Sequence, residues 1–429
     1  MHDLTLSPCP TLRGSITVPG DKSISHRYVL LAALAEGDTR ILGLAPGADV
    51  AASLACMGHV GATISRQGDG GVTVVGLGAA GLRTPVAPLD CMNSGTTMRL
   101  LAGIMASYPV SATLIGDASL SRRPMRRVLA PLEAMGARVE SHQGRAPIAV
   151  HGGALSAITW TPEVPSAQIK SAILLAGLRA AGRTVVHEPA PTRDHSERAF
   201  PLFGLHTSTV GLDVAVEGGQ RPIAPKAPVT VPGDPSSAAV WAVAAAGMPG
   251  AEVILDHVCL NPHRLGFVAA LRRMGADVTM SVETQLGGEP VGQLRVVHRD
   301  RVDTVISPDE VPGLIDELPI LAACAAHGRR LEVRGAAELR VKESDRITAL
   351  VTGLRALGVS AEEFPDGFAV DGRAGRPTGG EADASGDHRL VMAFTLVALG
   401  ASRPTRILDA GAVAVSYPSF TADLARLQS

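Results

Sequence analysis

The hydrophobic and polar positions of this chain repeat one phrase. At intervals of about 70 residues a polar cluster opens a stretch rich in Ala and Leu, which stops near Gly or Pro and runs into a β-branched segment. The six openings are Asp21-Lys22-Ser23, Asn93-Ser94-Gly95-Thr96, Ser166-Ala167-Gln168, Asp234-Pro235-Ser236-Ser237, Asp316-Glu317 and Asp387-His388-Arg389. Ser, Asp and Asn side chains accept hydrogen bonds from the free N–H groups of a helix start, so each opening predicts a helix N-terminus. In the first repeat Ser23 is the expected cap of a helix to about Glu36, Gly37 supplies a left-handed stop, and 39–42 reads as a strand. The same grammar predicts helices over 98–106, 168–181, 236–246, 318–327 and 390–399, each followed by a strand. A second phrase recurs at Leu132 to Ala137, Leu271 to Ala276 and Leu354 to Gly358, a short helix ending at Gly before an extended segment.

The predicted helices are apolar around most of their circumference, which calls for helices packed on one another and covered by sheets. Val18-Pro19-Gly20-Asp21-Lys22-Ser23 and Val231-Pro232-Gly233-Asp234-Pro235-Ser236 are near-copies half a chain apart. They suggest a duplication: an α/β (α+β) protein with one domain of three repeats over 21–230 and a second over 1–20 and 231–429. The first strand then joins the second domain, and the two Pro-Gly turns are expected to lie close together.

Composition narrows the function. With 429 residues and 46% hydrophobic content the chain can bury a large core. Its 39 basic against 41 acidic residues and 3% aromatics give neither a global field nor stacking platforms for nucleic acid. Anion recognition must be local. The five cysteines are scattered, without CxxC spacing or nearby His pairs, so no metal site or disulfide framework is expected and a reducing compartment fits. No secretory signal or membrane-length apolar run is evident, and the expectation is a cytoplasmic protein that contacts no membrane.

The chemistry gathers at the helix openings. Lys22-Ser23-Ile24-Ser25-His26-Arg27 sets cations beside backbone N–H groups that favour anions, and Asn93 to Arg99 adds Gly95, where a ligand can approach the backbone. Arg122-Arg123-Pro124-Met125-Arg126-Arg127 is the densest basic cluster; Arg193-Asp194-His195-Ser196-Glu197 reads as a polar loop. In Leu339 to Arg346, Ser344 or its neighbour caps a helix, with Lys342 and Glu343 before it and Arg346 in its first turn. Taken singly, each cluster reads equally as capped helices or surface ion pairs. Asp234-Pro235-Ser236-Ser237 carries no cation and reads as purely architectural.

Together the phrases PGDKSISHR, NSGTTMRLLAG, SRRPMRRVLAPL, PSAQIKSAILLAGL, TRDHSERAF, LIDELPILA, LRVKESDRI and GDHRLVMAF closely resemble, in order and over nearly the whole chain, the 5-enolpyruvylshikimate-3-phosphate synthases of the enolpyruvyl transferase family. The resemblance implies two domains of three βαβαββ units with an interdomain active-site cleft. It implies transfer of the enolpyruvyl group of phosphoenolpyruvate to the 5-hydroxyl of shikimate 3-phosphate, with release of phosphate, by a monomer needing no cofactor or metal. Carried over residue by residue, Asp316, Glu343 and Lys22 would be catalytic. Lys22, Gly95, Arg123, Arg346 and Arg389 would hold phosphoenolpyruvate. Lys22, Ser23, Arg27, Ser166, Ala167, Gln168, Arg193, Asp316 and Lys342 would hold shikimate 3-phosphate.

Three departures stand out. Ala167 replaces a serine common in the family, Val415 stands before Ser416-Tyr417-Pro418 where many members have a lysine, and Asn261-Pro262-His263-Arg264 replaces Asn-Pro-Thr-Arg. The competing readings are the UDP-N-acetylglucosamine enolpyruvyl transferase, whose Lys-Asn opening is absent at Lys22-Ser23, and a noncatalytic anion- or nucleic-acid-binding repeat scaffold.

Overall fold

The computed structural model describes residues 2–428. Each opening does begin a core helix: Lys22–Leu34, Gly95–Ala106, Ala167–Gly177, Pro235–Gly247, Leu318–Ala325 and His388–Leu399. The caps refine the expectation. Asp21, not Ser23, caps the first helix, its carboxylate accepting from Ile24 N–H at 2.8 Å. An extended residue with a short acceptor fills the cap best, and Ser23 falls inside the first turn. Ser94, Ser166, Asp234 and Asp387 cap the next helices in the same way. The fifth opening departs: Glu317 stands at the cap position and makes no capping bond, with Asp316 one residue before it. Asp345, not Ser344, caps Arg346–Ala356. His195–Leu202 is a helix where a loop was expected, its inner face buried at His195, Ser196, Ala199 and Phe200.

Each repeat builds one sheet of a shared design. A strand entering the repeat lies parallel to the strand that follows the core helix, and a hairpin then adds two antiparallel strands, as in the order Leu89–Asp90, Ser111–Ile115, Arg145–His151, Arg138–His142. Five sheets have four strands; the sixth has three, with Leu4–Leu6 antiparallel to Thr405–Leu408 in place of a hairpin. Arg13–Thr17 pairs parallel with Glu252–Cys259, and Val229–Thr230 pairs parallel with Asp38–Leu42. Each set of three sheets is thereby completed by a strand from a distant part of the chain.

The chain divides into two compact bodies. One comprises Gly20–Val231 with Leu286–Glu289; the other comprises the stretch to Pro19, Pro232–Gln285 and the stretch from Pro290. The tip of the hairpin Asp277–Leu286 and Glu289–Val297 thus belongs with the first body, which the repeat pattern alone did not foretell. The matched Pro-Gly turns come side by side within each body: Asp234 N–H donates to Pro19 O at 2.8 Å, and a Cβ on Gly20 would stand 1.8 Å from Gly43 O and 3.2 Å from Val231 Cγ1. Only glycine fits that approach.

Alanine and glycine bring the core helices together. Every residue of Pro235–Gly247 and of His388–Leu399 is buried. Gly95–Ala106 lies directly on Ala167–Gly177, since a Cβ at Gly103 would meet Ala172 O at 2.3 Å. The carbonyl ends carry negative partial charge, and basic side chains meet them. Buried Arg329 donates to Ala246 O and Met274 O, His327 to Leu396 O, and Arg179 to Ser107 O, at 2.8 to 3.0 Å. The Ser416-Tyr417-Pro418 phrase anchors packing: Trp241 stacks on Phe420 with centroids 5.1 Å apart and donates to Tyr417 Oη at 2.9 Å, and burial raises the Tyr417 phenol.

Candidate active site

In the 20–231 body the predicted residues cluster at the starts of three helices. Lys22, at the first helical position, pairs with Asp49 at 3.0 Å. Arg27, one turn deeper, is buried, and burial pushes its guanidinium down to about 10. Its fork is engaged inside the body, Nε with Ser196 Oγ at 2.7 Å, Nη2 with Ser171 Oγ at 2.6 Å and Nη1 with Ser23 O at 3.0 Å. Gly95 opens its helix beside Arg99 and Arg123; a Cβ there would stand 3.0 Å from Arg99 Nη1 and 3.3 Å from Arg123 Nη1. Two guanidinium groups and free N–H groups around one glycine form an anion cradle that a side chain would fill.

In the basic run 122–127 Arg123 reaches this cradle, buried and donating to Asn93 Oδ1 at 2.6 Å. Arg122 and Arg126 are exposed, the latter paired with Glu133. Gln168 takes Arg99 on its carbonyl and gives its amide to Thr96 Oγ1 at 2.7 Å, which joins the second and third helix starts. Ser166 is occupied as a cap, and Ala167 opens the helix half-buried; Arg193 lies just before the His195 helix, close enough to Arg27 to oppose its charge.

In the 232–429 body one arginine organises the cluster. Arg346, 2% exposed, binds Asp387 through Nε at 2.7 Å and Nη2 at 3.3 Å, contacts Glu343, and lies 3.6 Å from Asp316. Burial works against its charge, but Asp387, Glu343 and Asp316 outweigh it and raise the guanidinium above its ordinary value. Asp387 also accepts from Ser344 Oγ and from Arg389 N–H. Asp316, Glu343 and Arg346 thus come together; Lys342 adjoins them in sequence, half-buried. Arg389 is buried 3.7 Å from Glu317. Val415 ends the short helix Ala410–Val415 and brings no cation there.

The fourth opening corrects the sequence reading. Arg264 supplies it with a cation, reaching Asp234 at 3.1 Å and Ser236 Oγ at 2.8 Å, and Ser236 continues to Glu317 and so to Arg389. Asp49, Arg99, Ser171 and Ser196 join these clusters through partners distant in the chain; Arg99, Ser171 and Ser196 stood within sequence motifs without a role of their own, and Asp49 carried no local signal.

Among the described residues, Asp194, His195 and Glu289 could in principle hold a metal. Arg198 already sits between these acids, 2.8 Å from Asp194 and 3.6 Å from Glu289, while His195 bonds Glu289 at 2.7 Å. These side chains thus already pair with one another.

The family model for EPSP synthase (3-phosphoshikimate 1-carboxyvinyltransferase) matches residues 7–424. The 3-phosphoshikimate 1-carboxyvinyltransferase of Acidithiobacillus ferrooxidans is 49% identical over 417 residues, covering 97% of this chain and 95% of the relative. That of Alkalilimnicola ehrlichii is 50% identical over 419 residues, covering 96% and 93%. A solved EPSP synthase from Acinetobacter baumannii superposes with a TM-score of 0.87 at 39% identity, over 99% of this chain and 98% of that one. By this family match and these relatives, which agree with its six repeats, the chain belongs to the EPSP synthase (3-phosphoshikimate 1-carboxyvinyltransferase) family.

Proposed function

We propose a division of labour for the family's reaction, in which phosphoenolpyruvate and shikimate 3-phosphate give 5-enolpyruvylshikimate 3-phosphate and phosphate. The observation that carries it is Arg346, a buried cation in contact with Glu343 and 3.6 Å from Asp316. Such a cation can hold a phosphoenolpyruvate oxyanion while keeping two candidate proton-transfer groups beside the reacting carbons. Glu343 gives a proton to the methylene carbon of phosphoenolpyruvate, which leaves C2 electrophilic. Asp316 takes the proton of the shikimate 5-hydroxyl as its oxygen attacks C2. The tetrahedral adduct then loses phosphate and a methyl proton, restoring the enol double bond.

Lys22, Gly95 N–H, Arg123, Arg346 and Arg389 neutralise the phosphate and carboxylate of phosphoenolpyruvate, and Lys22 also stabilises charge on the departing phosphate. Ser23, Arg27, Ser166, Ala167, Gln168, Arg193 and Lys342, with Lys22 and Asp316, receive shikimate 3-phosphate. No described helix is long and apolar enough to cross a membrane. The five free, buried cysteines support a reducing cytoplasm, and the enzyme is read as a monomer. The deciding experiment is phosphate release by purified protein given phosphoenolpyruvate with either shikimate 3-phosphate or UDP-N-acetylglucosamine. Turnover only with the UDP-sugar, or with neither, overturns this reading.

A further inference from the structure

His26 is fully buried, with Nδ1 2.8 Å from Ser53 Oγ and no hydrogen-bond partner at Nε2. Ser53 Oγ lies 2.8 Å from Thr97 Oγ1, which lies 2.8 Å from Ser94 Oγ and 3.2 Å from Asp49 O. Ser94 caps the Gly95 helix. Ser53, Ser94 and Thr97 are also fully buried, so their proton count must close without water.

The directions of the hydroxyl bonds fix the rest. Thr97 Oγ1 donates towards Ser94 Oγ and Asp49 O, so its single proton is spent on one of these two. Thr97 Oγ1 then accepts from Ser53, and Ser94 Oγ also accepts the Thr97 N–H. Ser53, having spent its proton on Thr97, must accept from His26, which places the imidazole proton on Nδ1. The lone buried atom left over is a bare Nε2, an unused acceptor, which is tolerated better than an orphaned N–H. Burial, together with nearby Lys22 and Arg27 and against Asp49, depresses His26 to about 3, so the ring stays neutral at physiological pH.

The geometry has a second regularity. His26 follows Lys22 by four residues, and Ser53 follows Asp49 by four, so Lys22–Asp49 and His26–Ser53 are two rungs one turn apart between the helices Lys22–Leu34 and Ala48–His59. Thr97 bonds both rungs on the second helix, at Ser53 Oγ and at Asp49 O.

We propose that His26, Ser53 and Thr97 are positioning residues: a one-way chain of donors fixes the start of the Gly95 helix against Lys22, presetting the distance between the Lys22 ammonium and the Gly95 N–H for one phosphate group. The inference rests on the assignment of those two groups to phosphoenolpyruvate. It gives a role to four fully buried polar side chains that touch no charged group among the described residues.

The test has two independent arms. In wild-type enzyme labelled with 15N-histidine, long-range 15N–1H spectra should give His26 as the Nδ1–H tautomer, unchanged from pH 5.5 to 8.5. An Nε2–H tautomer, or titration in that range, overturns the chain of donors whatever the substrate. In steady-state kinetics, Thr97→Val and Ser53→Ala should raise KM for phosphoenolpyruvate about tenfold, the size expected for one buried hydrogen bond, while KM for shikimate 3-phosphate changes less than about twofold. His26→Asn, whose amide N–H replaces Nδ1–H, should retain near wild-type KM; His26→Gln, whose amide lies at the Nε2 position, should not. Equal losses in Asn and Gln, or equal rises in both KM values, overturn the positioning role. A wild type inactive with phosphoenolpyruvate and shikimate 3-phosphate defeats the substrate assignment instead, and the tautomer arm still decides the donor chain.

Discussion

Replacing Asp387 by Asn separates charge from shape at the centre of the 232–429 body. Asn caps a helix as well as Asp does, so the bond from Arg389 N–H survives. The amide oxygen, in the Oδ1 place, still receives Arg346 Nη2 at 3.3 Å as a neutral acceptor, whereas the amide NH2 in the Oδ2 place is a donor, so the 2.7 Å bond from Arg346 Nε is lost. Breaking a buried ion pair outright costs about 3–5 kcal/mol because a charge is left uncompensated. Here Arg346 keeps Glu343 and Asp316, so that penalty does not apply in full. The loss is one charged hydrogen bond, about 2 kcal/mol, and the weakening of the other to a neutral acceptor, about 1 kcal/mol, so about 3 kcal/mol in all. Asp387→Leu removes the cap and the remaining Arg346 bond as well, adding about 1 kcal/mol each, for about 5 kcal/mol. Urea unfolding followed through Trp241, buried in this body, reads both variants. With Arg346 held less firmly, KM for phosphoenolpyruvate should rise about tenfold in Asp387→Asn, matching one charged hydrogen bond. Equal destabilisation by Asn and Leu, or an Asn variant unchanged in both stability and KM, refutes this partition.

Three other outcomes follow from the same geometry. His26, ordinarily 6.5 but about 3 when folded, contributes stability that is fully present above pH 6.5 and is lost as pH falls toward 3, at up to about 1.4 kcal/mol per pH unit; urea midpoints from pH 7.5 to 4.5 should fall less steeply in His26→Asn than in wild type. Gly103→Ala drives a methyl into Ala172 O and should cost about 1–3 kcal/mol with a lower thermal midpoint, although alanine favours helix. Glu343→Gln and Asp316→Asn should each lower kcat by about 10²- to 10⁴-fold with intact circular dichroism, as expected for lost proton-transfer groups; activity within a factor of about three of wild type would remove that residue from the chemistry.

The openings, the Gly stops and the six-fold rhythm were legible because capping and helical periodicity act over three or four residues, within reach of local pattern. Asp21 and Ser23 show the limit of that reach: both are good caps, and the backbone conformation at Asp21 chose between them. The site residues that resemble family motifs were legible as side chains at helix starts. Their partners were not. Asp49 for Lys22, Ser171 and Ser196 for Arg27, and Asp387 for Arg346 lie 25 or more residues away, and sequence spacing carries no measure of that distance in space.

By itself, then, the sequence determined which segments become helix starts and which charges stand at them, since both depend on neighbouring residues along one backbone. Tertiary structure decided which charges are compensated and which side of each cluster is buried. It made Arg264 a part of the fourth opening, engaged Arg27 in hydroxyl bonds, and set three carboxylates around Arg346. Those outcomes rest on desolvation and on contacts between distant segments, which only packed helices create.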